Sequence, residues 1–263
     1  MNVNYEKLMK CFECVQQKIT FKPEIALILG SGLGDYADTM EVVETLDYHD
    51  IEGFPVSTVP GHKGRFVFGY AGGVPIVAMQ GRVHFYEGYK PQDVVLPIRL
   101  MKLMGAKVLF LTNAAGGINR SFNAGDFMLI TDQISMSVPS PLIGENIDEL
   151  GVRFPDMSEV YSRRLRKIIE NSAVTAGVPL RRGVYIQTAV RNPRRDTRIR
   201  APWRRRGGNV HRHRSDSGAP RGNGDMRNLL HKQPRGGDIG ESAHPRGGTG
   251  DRRQSCPAFQ EAG

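Results

Sequence analysis

The spacing of apolar residues changes its period several times along the first 188 residues, as it does in a chain of mixed helices and strands. The run EIALILGSGLGD at 24–35 begins wholly apolar, which predicts a short strand buried on both faces and followed by a turn. KVLFLTNAAGG at 107–117 repeats that pattern. Residues 4–19 instead predict an amphipathic helix, with an apolar face of Tyr5, Leu8, Met9, Phe12, Val15 and Ile19.

The remaining pattern predicts an α/β fold with a mixed, largely buried β-sheet flanked by helices. Ligands in such folds bind at the carboxyl ends of the strands. The predicted elements are a hairpin at 64–82 with a Gly-Gly turn, helices at 91–105 and 158–177, and strands at 125–135 and 183–188.

The globular pattern stops near Thr188, and the charge changes at the same point. Residues 1–188 carry 19 Lys and Arg against 20 Asp and Glu, whereas 189–263 carry 17 against 7. All of the net charge of +9 therefore belongs to the last segment, which has only seven Ile, Leu, Val or Phe. We expect an incomplete domain over 1–188 and a disordered Arg/Gly-rich tail over 189–263.

Cysteine usage and hydropathy indicate the compartment. Cys11 and Cys14 lie in the first predicted helix without a second Cys pair, which favours buried helix thiols over a metal or redox pair. The sequence shows neither a signal peptide nor an apolar run of about 18 residues, so we expect a soluble, cytoplasmic protein.

Two glycine-rich loops are candidates for binding an anion. GSGLG at 30–34 follows a buried strand, so its backbone N–H groups and the Ser31 hydroxyl can approach a ligand closely. It lacks the Gly-Lys-Ser/Thr of a P-loop, and alone it is equally consistent with a tight turn. VPGHKGR at 59–65 carries His62, which is positioned either to cover an anion or simply to face solvent.

QGRVHFYEGY at 80–89 is a more specific signal. If the segment is extended, Arg82, His84 and Tyr86 share one face, where they suit an oxyanion with a polar organic group beside it. The alternative is a solvated edge strand. TNAAGG at 112–117 adds Asn113 at a strand end, although a tight strand-to-loop turn explains that motif better when it is taken alone.

These four motifs, in this order and spacing, together with RFPDMS at 153–158, resemble the trimeric purine nucleoside phosphorylases over about residues 5–188. The related methylthioadenosine phosphorylases differ around the Arg-x-His segment, where the residues at 86–89 favour the purine nucleoside branch. The resemblance implies reversible phosphorolysis of inosine or guanosine to the free base and ribose 1-phosphate, with His84 and Tyr86 catalytic. It implies neither metal nor organic cofactor, since inorganic phosphate is a co-substrate.

The resemblance also implies residue roles and an assembly. The residues that hold phosphate would be Ser31, His62, Arg82, His84 and the backbone N–H of Ala114. Tyr86 and Asn113 would contact the substrate, and Phe154 would reach a neighbouring subunit's ribose site, so a homotrimer is expected. We expect no membrane partner.

The tail at 189–263 lacks the family's base-recognition residues, namely a Glu, an Asn, a Met-Ser pair and a late His. Codons compatible with 206–211, read one base later, give Ala-Val-Gly-Met-Ser-Thr, and those for 227–233 give Gly-Ile-Ser-Cys-Ile-Ser. A third shifted stretch near 242–248 supplies the late His. Our hypothesis is that the tail is an out-of-frame reading of the family's own C-terminus that begins between codons 187 and 192, which would impair catalysis and leaves base preference open.

The alternatives are a nucleoside-binding remnant whose basic tail binds nucleic acid, or a methylthioadenosine phosphorylase. Against an evolved RNA- or DNA-binding tail, base-stacking aromatics are limited to Trp203 and Phe259. Any nucleic-acid binding through this tail is expected to be non-specific and salt-dependent.

Overall fold

The computed structural model describes residues 2–30, 32–58, 63–135 and 138–187, together with the backbone of 210–212 and 232–233. Its α-helices are α1 (Val3–Lys18), α2 (Pro91–Leu103) and α3 (Arg163–Thr175). Its strands are β1 (Ile25–Ile28), β2 (Glu41–Asp47), β3 (Arg65–Ala71), β4 (Val74–Gln80), β5 (Val108–Leu111), β6 (Gly116–Gly117), β7 (Asp126–Ser135), β8 (Leu180–Gln187), β9 (Val210–Arg212) and β10 (Lys232–Gln233).

The first sheet has the order β2-β3-β4-β1-β5. Its three strands β4, β1 and β5 are parallel, so their carboxyl ends meet at one edge. The hairpin predicted at 64–82 is confirmed as β3 and β4, joined by Gly72 and Gly73 at φ 57° and 75°. Two successive residues with positive φ form the turn that matches the twist of a hairpin, and glycine adopts that conformation without steric cost.

The second sheet has the order β10-β7-β8-β9-β6, with β7, β8 and β9 parallel. The mixed α/β class is thus confirmed, and the hydrogen bonds divide the strands into two five-stranded sheets. We predicted no strand after 188, yet β9 and β10 lie there. The predicted disorder of the rest of 189–263 concerns residues outside those described.

The core lies on both faces of β1, as its apolar run predicted. Ala26 and Ile28 face a cluster that includes Leu8, Val15 and Leu100 from α1 and α2. Leu27 faces the opposite cluster, with Val67 and Ala78 from β3 and β4. Because each face of the strand is covered by apolar side chains, the carboxyl end of β1 is held rigidly relative to β4 and β5.

One helix boundary and one additional strand differ from the predictions. Helix α3 begins at Arg163 rather than near 158, because the side chain of Ser162 caps its N-terminus by accepting a hydrogen bond from the Leu165 backbone N–H. Strand β2 was not predicted, because as an edge strand it buries only Leu46 and lacks a clear apolar alternation.

Among the described helices, none is long and apolar enough to cross a membrane.

Candidate functional site

Buried polar side chains mark one edge of the first sheet. Five polar residues are buried in the described part of the chain, and four of them end or follow β4 and β5: Gln80, His84, Thr112 and Asn113. The fifth, Gln187, ends β8. Burial of a polar group costs free energy unless it finds a hydrogen-bond partner. Their concentration at the carboxyl ends of parallel strands therefore indicates a preorganised ligand-binding site.

The ends of β1 and β5 are joined by Thr112. Its hydroxyl accepts a hydrogen bond from the Gly30 N–H at 2.9 Å and donates one to the Ile28 carbonyl at 3.0 Å. A Cβ on Gly30 would lie 2.6 Å from the Thr112 carbonyl oxygen and 2.7 Å from Asn113 Cα. The glycine that opens the GSGLG motif is therefore required for the close approach of the two strand ends.

We expect Gly30→Ala to lower the free energy of unfolding by about 1–3 kcal/mol, because the added methyl meets backbone that has no room to move. Thermal unfolding followed by circular dichroism should show the melting temperature falling by several degrees. Gly34→Ala is the matched control, since a Cβ there meets only Gln80 Cγ at 3.9 Å. Equal melting temperatures for the two variants would contradict the steric argument.

Residues 82–87 do not form the extended segment that the alternation suggested. Strand β4 ends at Gln80, and Phe85–Glu87 form a single 3-10 turn closed by Gly88 at φ 91°. The period-two interpretation of Arg82, His84 and Tyr86 is therefore wrong, although these residues still lie close together. The rings of His84 and Tyr86 stack at 4.8 Å with an interplanar angle of 11°. The Arg82 guanidinium donates to the Thr112 carbonyl at 3.1 Å.

Glu87 caps that turn, and no motif in the sequence marked it as a site residue. One oxygen of its carboxylate accepts from the His84 backbone N–H at 2.8 Å and lies 2.9 Å from His84 Nδ1. The other accepts from the Thr58 N–H at 2.6 Å and from its hydroxyl at 2.9 Å. The only sign of Glu87 in the sequence is its position three residues after His84, in a segment with a glycine on either side.

The charge of Glu87 fixes the orientation of the His84 ring. Burial raises the pKa of the Glu87 carboxyl, but the donors from Thr58 and His84 lower this pKa by more, so it lies below its usual value. An ionised carboxylate only accepts hydrogen bonds, so Nδ1 of His84 carries a proton. Nε2 then accepts in the neutral ring and donates only in the imidazolium, so it is the imidazolium that suits binding of an oxyanion.

Asn113 supplies an unsatisfied amide beside these groups. Its side chain is buried, and neither its Nδ2 nor its Oδ1 has a hydrogen-bond partner in the described part of the chain. Such an unsatisfied group costs about 1–3 kcal/mol. A ligand with both donor and acceptor atoms, such as a sugar hydroxyl, would remove that cost.

Of the predicted site residues, the structure stacks His84 on Tyr86 and bonds Arg82 to the Thr112 carbonyl, next to Asn113 in the chain. The half-buried Ala114 directly follows Asn113. Ser31 and His62 lie outside the described residues. Phe154 is not part of the buried cluster, because it is 85% exposed with the Arg153 guanidinium 5.6 Å from its ring centre.

Comparison with known proteins gives the family of the chain. Residues 24–210 match the model of the phosphorylase superfamily. The chain is 48% identical to purine nucleoside phosphorylase 1 of Geobacillus stearothermophilus over 184 residues, which are 70% of this chain and 67% of that protein. It is 47% identical to purine nucleoside phosphorylase 1 of Bacillus subtilis over 192 residues, or 73% and 70% of the two chains. The chain belongs to the purine nucleoside phosphorylase family.

Solved purine nucleoside phosphorylases share the fold. A crystal structure of one in complex with ribose-1-phosphate superposes with a TM-score of 0.73 at 37% identity, and covers 82% of this chain and 81% of that one. The Schistosoma mansoni purine nucleoside phosphorylase in complex with acetate gives a TM-score of 0.72 at 36% identity, with coverage of 81% and 86%. The motifs that suggested the purine nucleoside phosphorylases thus belong to a chain with that family's fold.

Proposed function

We propose that this chain carries the phosphate and sugar sites of a purine nucleoside phosphorylase, which cleaves purine ribo- and deoxyribonucleosides with inorganic phosphate. A phosphate oxygen attacks C1′ of the sugar, the bond from C1′ to the base nitrogen breaks, and its electron pair leaves with the base. The base then takes up a proton, and (deoxy)ribose 1-phosphate is the other product. The reaction is reversible and needs no metal or organic cofactor.

The observation that carries the proposal is the unsatisfied amide of Asn113, which directly follows Thr112, the residue whose carbonyl accepts from the Arg82 guanidinium. A guanidinium and an imidazolium attract a phosphate dianion, and a desolvated dianion stabilises the positive charge that develops on the sugar as the bond breaks. Asn113 and Tyr86 are then available for the sugar, with the Tyr86 ring held against His84 at 4.8 Å.

The remaining roles follow from the matched motifs. Ser31, His62 and the backbone N–H of Ala114 complete the phosphate site in this proposal. We also propose a cytoplasmic homotrimer in which Phe154 enters the ribose site of a neighbouring subunit. The 85% exposure of Phe154 supports this assembly, as does its apolar surround of Leu142, Ile143, Val152 and Met157, each at least 47% exposed.

Binding of the sugar phosphate product tests the proposal on the full chain. We expect labelled ribose 1-phosphate to bind saturably in equilibrium dialysis and to be displaced by inorganic phosphate but not by ribose. The arginines of the tail are a second source of anion binding, so the titration is repeated at high salt, which weakens binding to exposed charges most. Complete loss of ribose 1-phosphate binding at high salt would contradict a preorganised phosphate site.

A further inference from the structure

A polar network outside the proposed substrate contacts is centred on Asp38. The Asp38 carboxylate lies 2.7 Å from Lys63 Nζ and 3.3 Å from Arg65 Nη2. Arg65 Nε donates to Gln80 Oε1 at 2.8 Å, and Gln80 Nε2 donates to the Gly34 carbonyl at 2.8 Å. We call these five residues the Asp38 network.

The Asp38 network joins three segments that lead into the site. Asp38 belongs to the 3-10 helix Gly34–Thr39, which directly follows the GSGLG turn. Lys63 and Arg65 end the VPGHKGR motif, and Gln80 is the last residue of β4, two positions before Arg82. One carboxylate and one carboxamide therefore tie together the 3-10 helix, the residues that lead into β3 and the end of β4.

The burial of its members indicates that the Asp38 network orients these segments and adds little to the stability of the protein. Gln80 is 2% exposed, and both ends of its carboxamide are used, so its orientation is fixed. By contrast, the Asp38 and Lys63 side chains are 42% and 45% exposed, and ion pairs of that exposure contribute little to stability. The hydrogen bond from Lys63 lowers the pKa of the Asp38 carboxyl, so Asp38 is a carboxylate at neutral pH.

We propose that Asp38 is a positioning residue of the phosphate site, acting through Lys63, Arg65 and Gln80 on the end of β4, from which the chain leads to Arg82. The proposal rests on the proposed function, since it needs a phosphate to bind there. Asp38 acts through these residues and makes no contact with the substrate in this proposal.

The test is inorganic phosphate binding by the full chain, measured by equilibrium dialysis at high salt. Asp38→Asn keeps the shape of the side chain and removes its charge, and we expect the dissociation constant for phosphate to rise about three- to tenfold with the melting temperature unchanged. Asp38→Glu should restore most of the affinity. Asp93→Asn is the matched control, because it breaks another Lys–Asp pair of 2.7 Å, between Lys7 of α1 and Asp93 of α2.

The outcomes separate this proposal from the proposed function. If the unaltered chain fails to bind phosphate at high salt, the phosphate site itself is refuted, and Asp38 with it. If the unaltered chain binds and Asp38→Asn binds within twofold, only the positioning role is refuted. The same holds if Asp93→Asn weakens binding equally. A positioning role further requires that adding Lys63→Met to Asp38→Asn weaken binding little more than Asp38→Asn alone.

Discussion

A gene restored to the family's reading frame after codon 187 is expected to encode a chain that cleaves inosine at least about 100-fold faster than the chain as it stands. The reason is the composition of residues 189–263, which has no counterpart of the family's base-recognition Glu and Asn or its Met-Ser pair. In the proposed function, the phosphate and sugar groups bind one half of the substrate. The leaving purine would still have no hydrogen-bond donor to stabilise the negative charge that it receives.

The size of the effect follows from what such donors contribute. Loss of one hydrogen-bond donor to a developing negative charge costs about 10²–10³ in turnover, and a general acid contributes about 10²–10⁴. A chain lacking both would fall by at least the smaller of these factors. We therefore expect little or no phosphorolysis from the chain with the present tail.

The measurement is release of hypoxanthine from inosine and phosphate by the two purified chains, compared at equal concentration. Circular dichroism of both proteins separates a missing base site from a failure to fold. Equal rates would show that the present tail supports catalysis. Genomic DNA that encodes this tail in an intact frame would refute the frameshift hypothesis, and would favour a tail with its own role.

The parts of the fold that depend on local pattern were predictable from sequence. Both faces of strand β1 are buried, since Ala26, Leu27 and Ile28 are buried and Ile25 is partly buried, and the apolar run itself predicts this. The Gly-Gly turn of the hairpin is likewise dictated by two residues that adopt positive φ without strain. The sequence also predicts that Asn113 lies at the carboxyl edge of the sheet, because it directly follows a predicted strand.

The parts that depend on contacts distant in sequence were not predictable. Glu87 changes an apparently extended segment into a turn because Thr58, 29 residues earlier, supplies donors for one of its oxygens. The Asp38 network joins residues up to 46 positions apart, as in the bond from Gln80 to the Gly34 carbonyl. Periodicity does not reveal such pairs, since the sequence around each residue does not indicate its distant partner.

Strands β9 and β10 illustrate a different limit. Their sequences, Val210–Arg212 and Lys232–Gln233, contain one apolar residue among five, so neither has the pattern of a buried strand. β9 pairs with β8 and β6, and β10 pairs with β7. Sheet pairing uses backbone hydrogen bonds, which any residue except proline supplies, and an available edge can therefore select a strand that composition does not.

Arg82→Ala is expected to weaken phosphate binding by about 30-fold, the largest effect of any single substitution in the described site. A guanidinium makes charge-assisted hydrogen bonds to a phosphate, each contributing about 1.5–3 kcal/mol, and about 2 kcal/mol corresponds to a 30-fold change in the dissociation constant. Arg82→Lys should recover only part of the affinity, because an ammonium keeps the charge but not the paired donors.

The control is Arg181→Ala, which removes an arginine of equal charge from the start of β8, where it lies 3.2 Å from Asp126. Phosphate binding is measured at high salt by equilibrium dialysis, with the melting temperature as a check, since Arg82 also donates to the Thr112 carbonyl. Arg181→Ala should bind as the unaltered chain does. If both alanine variants bind phosphate alike, the anion is held by diffuse positive charge and the site at the ends of β4 and β5 is refuted. A loss confined to Arg82→Ala instead places the phosphate against that guanidinium, at the strand edge where Asn113 and His84 can reach the same ligand.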